Sequence, residues 1–333
     1  MKKKLLMVLV FTCLLLSGCG KETEQSILKK LKEKVEDTQA YQVTGDLSIY
    51  SNEDEYAYEV TVSYQKENQF RVLLKNKTNN HEQIILRNED GVYVLTPSLN
   101  KSFKFQSDWP YSNSQIYLLK SLINDIKDTK DRSFKDAKNG YSLITKVNYP
   151  NNSKLVKQII ELDKNGDFKK VSVYDSNNII CMTMIFDSID YSPTFKKDYF
   201  NLDSVMSTYS VSEEEVKETT KIDDTIYPLA IPSGTKLVSE EKIKKDVGDR
   251  IIMTFDGDKP FLLVEESAVV EDEFTIIPTY GEPFQLMDTL GVMTNNSLNW
   301  TSNGIEYYIV SDVLNQSELV EVAQSISYLP TMK

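Results

Sequence analysis

The sequence predicts an α+β protein: a long antiparallel sheet with helices against it, followed by a smaller α+β unit. Three observations carry that prediction. Apolar residues recur with period two over many short runs, Asn-Gly and Asp-Gly dipeptides punctuate those runs, and a few segments switch to a three-to-four-residue period. Composition supports a folded body, with 40% apolar and 10% aromatic residues among 333.

A helix comes first. Ile27, Leu28, Leu31 and Val35 share one face, with Lys and Glu on the other. The pattern then flips. Tyr41, Val43, Gly45, Leu47 and Ile49 alternate with polar residues, as do Tyr56, Tyr58, Val60, Val62 and Tyr64. Phe70–Leu74, His81–Arg87, Val92–Thr96 and Ser102–Gln106 continue the meander, and Asp90-Gly91, Asn139-Gly140 and Asn165-Gly166 mark hairpins. One helix interrupts it. Ser112-Asn113-Ser114-Gln115 reads as a capping box, and Ile116, Leu119, Leu122, Ile123 and Ile126 line the face of a helix from Ser114 to about Asp128. Strands resume at Tyr141–Tyr149, Leu155–Leu162, Phe168–Tyr174 and Ile179–Phe186. The last is apolar on both parities and is expected to be covered on both faces. The sheet should therefore carry a helix and curl around it.

Val211–Asp224 is polar and acidic and reads as a linker between residues 19–210 and a small α+β domain at 225–333. The second part opens on Tyr227-Pro228-Leu229-Ala230-Ile231-Pro232, has hairpin signals at Asp256-Gly257 and Asn303-Gly304, and ends in a helix capped by Asn315 and Glu318. Its buried stripe is Leu319, Val322, Ala323 and Ile326.

The N-terminus is a targeting signal. Met1–Lys4 is basic, and the apolar run Leu5–Leu16 rises about 18 Å as a helix, short of a ~30 Å hydrocarbon core. It ends in Leu16-Ser17-Gly18-Cys19, which resembles the bacterial lipobox and implies cleavage of residues 1–18 and lipid attachment at Cys19. The expected location is the extracytoplasmic face of the cell membrane, held by membrane lipid through acylated Cys19. With Cys13 removed, Cys181 is left as a single thiol, so the fold must rest on packing.

Several function classes fall away. With 38 basic against 50 acidic side chains, the formal charge of -12 argues against nucleic acid. One histidine and three cysteines cannot build a His- or thiolate-rich metal site. His81 beside Asn80 and Glu82 reads as a solvated residue, and Cys181 in an apolar strand reads as an inert thiol. Asp163-Lys164-Asn165-Gly166-Asp167 places its glycine fourth, so it is a turn rather than a calcium loop. Glu213-Glu214-Glu215 and Glu271-Asp272-Glu273 read as solvated faces. No G-x-S-x-G elbow or H-E-x-x-H helix is present, so the protein is expected to be neither an enzyme nor a holder of a metal or cofactor.

A lipobox, an N-terminal helix, a long meander and one inserted helix after Trp109-Pro110 resemble the LolA/LolB-like lipoprotein-carrier superfamily. Leu99-Asn100-Lys101-Ser102-Phe103-Lys104-Phe105, Ser107-Asp108-Trp109-Pro110 and Ser114-Gln115-Ile116-Tyr117-Leu118-Leu119 are similar to YdcC-type sporulation lipoproteins of Firmicutes, and the tail from Gly304 to Ile326 resembles their small C-terminal domain. The resemblance implies an antiparallel half-barrel whose apolar concave face, closed by helices, accepts an acyl chain, a lipid or a lipidated peptide. Val60, Val62, Tyr64, Trp109, Leu119, Leu122, Ile123, Ile126, Met182 and Met184 are the expected cavity or lid residues. Trp109 fits a rim residue or a packing anchor before the helix. Cys19 departs from soluble carriers, which shuttle. The rival reading keeps the fold, fills the cavity with its own side chains, and offers a face to a cell-wall or spore-envelope protein.

Overall fold

A computed structural model describes residues 23–51, 54–209, 222 and 224–326. Cys19, the lipobox and most of the expected linker lie outside the described residues.

Helix α1 (Glu24–Glu36) starts where Thr23 Oγ1 accepts a hydrogen bond from the Ser26 N–H at 3.2 Å, and it buries Ile27, Leu31 and Val35. The chain then builds β1 (Ala40–Ser51), β2 (Asp54–Gln65), β3 (Gln69–Asn76), β4 (Glu82–Asn88), β5 (Gly91–Thr96) and β6 (Lys101–Phe105). Helix α2 (Leu119–Asp128) follows, then β7 (Ser133–Ala137), β8 (Gly140–Lys146), β9 (Leu155–Leu162), β10 (Phe168–Asp175) and β11 (Ile180–Asp190). Strands β1–β6 pair in sequence order. β11 closes antiparallel on β1, with β10, β9, β8 and β7 beyond it. Burial along β1 alternates residue by residue, as its period-two pattern requires.

The sheet is bent, and the core shows why. Side chains from β1–β6 and β8–β11 share one apolar cluster with α1 and α2. A flat sheet of that many strands at ~4.8 Å spacing would span more than ~40 Å, against ~10 Å for a helix, so all can meet the helices only if the sheet wraps around them. Gly45 sits at the bend. The β1–β11 register shifts between Thr44 and Gly45, and a Cβ on Gly45 would lie 2.1 Å from the Ile185 carbonyl oxygen. This is the expected half-barrel with helices inside.

The helix start at Ser112–Gln115 requires correction. The Ser114 hydroxyl donates to Asp125 Oδ1 at 2.8 Å and accepts from the Asn148 N–H, while the Gln115 N–H donates to Ser121 Oγ. With Ser114 committed across the turn, α2 begins only at Leu119, after Leu118, which provides no side-chain cap. The two-sided burial expected at Ile179–Phe186 also fails. Met184 and Phe186 face the core, whereas Ile179, Ile180 and Ile185 are exposed. The doubly covered strands are β4 and β5. Their outer face carries Ile84, Leu86, Tyr93 and Leu95, and α3 (Leu202–Tyr209) packs there with Phe200, Val205 and Met206. The Arg71 guanidinium sits 4.6 Å from the Tyr199 ring centroid beside it.

The second sheet orders β12 (Thr235–Lys244), β13 (Asp249–Gly257), β14 (Phe261–Ser267), β19 (Ile305–Val310), β18 (Ser297–Ser302), β17 (Leu290–Met293) and β16 (Glu282–Gln285). Helix α4 (Gln316–Gln324) covers it and carries the expected reciprocal Asn315–Glu318 capping box. The β18–β19 hairpin turns on Asn303 and Gly304, both at positive φ (50° and 77°). One strand leaves this unit. β15 (Thr275–Thr279) pairs in parallel with β6, an exception to the antiparallel pattern, and Pro278 sits in that edge strand, where its missing N–H is tolerated.

The two sheets are tied by buried polar contacts. Gln83 Oε1 accepts from the Leu290 N–H at 2.6 Å, the Tyr58 hydroxyl donates to the Met287 carbonyl at 2.7 Å, and the nearly buried Lys101 ammonium meets Glu306 at 2.6 Å. Leu290 and Val292 join the first core. Proteolysis confined to residues 211–224 should therefore leave two fragments that co-elute in native gel filtration. Separation without denaturant would show that β15 and these bonds do not hold the halves.

Candidate binding site

The ten expected site residues divide into two groups. Val60, Val62 and Tyr64 on β2, Met184 on β11, and Leu119, Leu122, Ile123 and Ile126 on α2 are all buried in the first core, against Ile27, Leu31 and Val35 of α1. They fill the concave face. Trp109 and Met182 differ, because both line a cavity of about 160 Å³ at the end of the half-barrel.

That cavity lies between the sheets. Ile49 and Tyr50 of β1, Ile85 of β4 and Cys181 and Met182 of β11 form one side. The segment before α2 adds Trp109, Asn113, Gln115 and Tyr117, and the β8–β9 connection adds Tyr149, Asn152, Lys154 and Leu155. The second sheet closes it with Pro283, Phe284, Gln285, Leu286 and Leu290, and Gln324 of α4 completes the rim. Most of the C-terminal wall carried no local signal in the sequence. Those residues matter only because a segment remote in the chain packs over the mouth.

Trp109 is packed in the core and also lines the cavity. It is 1% exposed, packs edge-on against Phe70 with centroids 5.9 Å apart, accepts a hydrogen bond from Arg87 on its carbonyl oxygen, and still presents surface to the cavity. The Trp109-Pro110 peptide is cis. Cys181 is the extra residue of a bulge, because Val173 pairs with Met182 while Tyr174 pairs with Ile180. Burial pushes its thiol pKa up, away from the thiolate a nucleophile needs.

Two phenols are among the cavity's lining residues. Tyr117 is 3% exposed, and burial alone pushes its pKa well up; Tyr149 is raised by burial first, then by the nearby Asp125 and Tyr117. Neither phenol has a hydrogen-bond partner among the described residues. The enclosed orphan atoms are Tyr41 Oη, Asn100 Oδ1, Ser102 Oγ, Thr145 Oγ1, Gln158 Oε1 and Gln285 Oε1. The Tyr117 and Tyr149 hydroxyls are not of that set, and both residues line the cavity.

The remaining sequence candidates are placed elsewhere. His81 Nδ1 faces Ser98 Oγ at 3.3 Å on an exposed turn. Asp163 Oδ1 accepts from the N–H groups of Asn165 and Asp167, closing the β9–β10 turn on itself. Glu271 approaches Lys101 at 3.8 Å. Among the described residues no three His, Cys, Asp or Glu side chains gather as a metal site. No helix among them is long and apolar enough to cross a membrane.

Two predictions test this packing. Leu122→Ala should cost about 2–5 kcal/mol in chemical denaturation, the range for a fully buried leucine; a cost below ~1 kcal/mol would mean the helix covers an open space. The second concerns pH. Burial raises Asp125 to about 6, against the hydrogen bonds from Ser114 and Gln158, and raises Glu265 to about 7, against the Ile226 N–H. Both carboxyls bind protons more tightly folded than unfolded. Their contribution is therefore intact below about pH 4 and is lost as pH rises to 6 and 7, on the order of 2–3 kcal/mol each. Unfolding free energy should fall from pH 4.5 to 7.5, and Asp125→Asn with Glu265→Gln should flatten that fall. An unchanged slope in the double variant would sink this assignment.

Comparison with known proteins agrees with the sequence resemblance. The chain is 36% identical over 326 residues to the sporulation protein YdcC of Bacillus subtilis (strain 168), covering 97% of this chain and 96% of that protein. No protein-family model matches. Among solved structures, the Pseudomonas aeruginosa MucA/MucB complex aligns over 89% of this chain and 96% of that chain at 13% identity and TM-score 0.32. A LolA superfamily protein of Nitrosomonas europaea aligns over 55% of this chain and 99% of that chain at 13% identity and TM-score 0.31. Likeness at that level leaves the fold to be argued from the chain itself. The YdcC match, nearly end to end, places this chain in the family of the sporulation protein YdcC.

Proposed function

We propose that this chain is a non-catalytic, lipid-anchored interaction protein of the extracytoplasmic membrane face, acting in sporulation by holding or regulating a cell-wall or spore-envelope protein. The observation that carries the reading is the filled concave face: α1 and α2 occupy the space an acyl chain would need. The cavity of about 160 Å³ that Trp109 and Met182 line falls below the ~300–1,000 Å³ of sites for drug-sized ligands. Acyl carriage, the reading the half-barrel resemblance favoured, would require Leu119, Leu122, Ile123 and Ile126 to leave their core contacts, at about 1.5–3 kcal/mol per large side chain. The same surfaces serve a protein partner without moving. The relative's name supports the sporulation context, and Cys19 at the lipobox supports the tether.

Native mass spectrometry of the full chain carrying Cys19→Ser tests both parts. The variant should leave the membrane fraction or stay uncleaved, because the acidic body is repelled by anionic lipid. It should also fly without bound lipid. A cleaved Cys19→Ser protein still on the membrane would refute the anchor. A stoichiometric lipid retained through purification would restore the carrier.

A further inference from the structure

An antiparallel sheet with one packed face turns polar residues outward. Strand β1 does so, with Gln42, Thr44, Asp46 and Ser48 alternating with its buried set. Three outward faces among the described residues depart from that pattern. The first, Ile84, Leu86, Tyr93 and Leu95 of β4 and β5, lies under α3. The other two are bare, and their side chains belong to none of the apolar clusters of the described residues. Contiguous apolar surface of that kind marks an interaction site.

One bare face is on β8–β11. Ile144 pairs with Ile159, Tyr174 with Ile180 and Lys170 with Ile185, all alternating with the buried Leu143, Ile160, Val173 and Met184. Lysines frame it. Lys146 pairs with Lys157 on the same side, Lys157 with Tyr174, and Lys170 with Glu161. Residues 130–170 carry ten basic and five acidic side chains, in a chain that is acidic as a whole. The other bare face is on the second sheet. Ile252 pairs with Val264, Val264 with Tyr308 and Leu262 with Val310, alternating with the buried Ile251, Met253, Leu263 and Ile309. Ile243 joins them from β12. The setting here is acidic. Glu241 is exposed opposite Ile252, and residues 224–326 carry eighteen acidic and six basic side chains. Glu266 and Glu306 on the same side are matched by Arg250 and Lys101.

We infer that the lysine-framed face of β8–β11 in one copy docks on the acidic face of the second sheet in another, so that the protein associates head to tail with itself. Both faces are apolar and their settings are opposite in sign, so each supplies what the other lacks. The net charge of the chain does not oppose this. At physiological salt the Debye length is ~8 Å, and only charges close to the contact are felt. Such a contact joins two different surfaces, which gives it a signature that a face pairing with its own copy lacks. With five or six apolar side chains on each face, against ~20–30 residues a side in a stable interface, association is weak in solution. The inference goes beyond the interaction reading above and does not depend on it.

The test is sedimentation velocity on residues 20–333, the body without its leader and Cys19. Average mass should rise between micromolar and millimolar protein, and rise less as salt goes from ~0.05 to ~0.5 M. Ile185→Glu and Leu262→Lys each spoil one face at a position that is 45% and 38% exposed, so both should melt like the parent. Each variant alone should stay monomeric. Their equimolar mixture should recover pairs, because each retains the face the other has lost. Lys157→Glu and Glu241→Lys repeat the cross by charge alone, with the apolar side chains intact, and should lose and recover association in the same way. A parent that stays monomeric throughout, or a mixture no heavier than its parts, would overturn the inference. So would one variant that still associates by itself, which would mean that a face pairs with its own copy. Monomers that sediment with phosphatidylglycerol vesicles, and no longer do so after Ile185→Glu, would give the lysine-framed face to lipid instead.

Discussion

Everything in this molecule follows from the need to bury one apolar face of a very long sheet. Strands β1–β6 and β8–β11 all turn Val, Leu, Ile and aromatic side chains to the same side, and no flat packing partner of this chain is wide enough to cover them. The sheet therefore wraps around α1 and α2, and the two helices become the core instead of a cover. Wrapping has local requirements, met by the bulge and the absent Cβ at Gly45 and by a second bulge at Cys181. It also draws polar groups inward. Asp125 on α2 is held by Ser114 and Gln158, so the hydrogen bonds that anchor the approach to the helix come from the helix's own buried carboxylate.

The second constraint is the open edge that such a sheet leaves. Strand β6 would present unpaired backbone groups, and β15 covers them in parallel register. Because β15 is borrowed from the C-terminal unit, edge protection and association of the two halves become one event. Gln83, Tyr58 and Lys101 then bond across the seam, so polar groups caught between the sheets are paired rather than stranded. Where the seam meets the end of the half-barrel, side chains from seven segments converge without closing. The cavity lined by Tyr117 and Tyr149 is what that convergence leaves.

This geometry bears on function through energy rather than through motif. The concave face is occupied by the chain's own helices. Among the described residues, Ile179, Ile180 and Ile185 of the β10–β11 hairpin are large apolar side chains left exposed.

The sequence by itself determined the local elements. Period-two alternation gave β1 and β2 with the correct residues inward, Asn303-Gly304 gave its hairpin, and the Asn315–Glu318 pair gave the start of α4, because each depends on neighbours within a few residues. It missed α3, although Leu202, Val205 and Met206 carry a helical spacing, and it began α2 too early because Ser114 looks like a cap until Asp125 is seen beside it. The tertiary structure decided the rest. Which strand is covered twice, β4 rather than β11, depends on where α3 lands. Whether the concave face is open depends on how deeply α1 and α2 seat. The pairing of β15 with β6 joins positions far apart in the chain, and the cavity owes its walls to that same long-range closure. Such contacts are set by the summed burial of whole faces, and no window of sequence contains that sum.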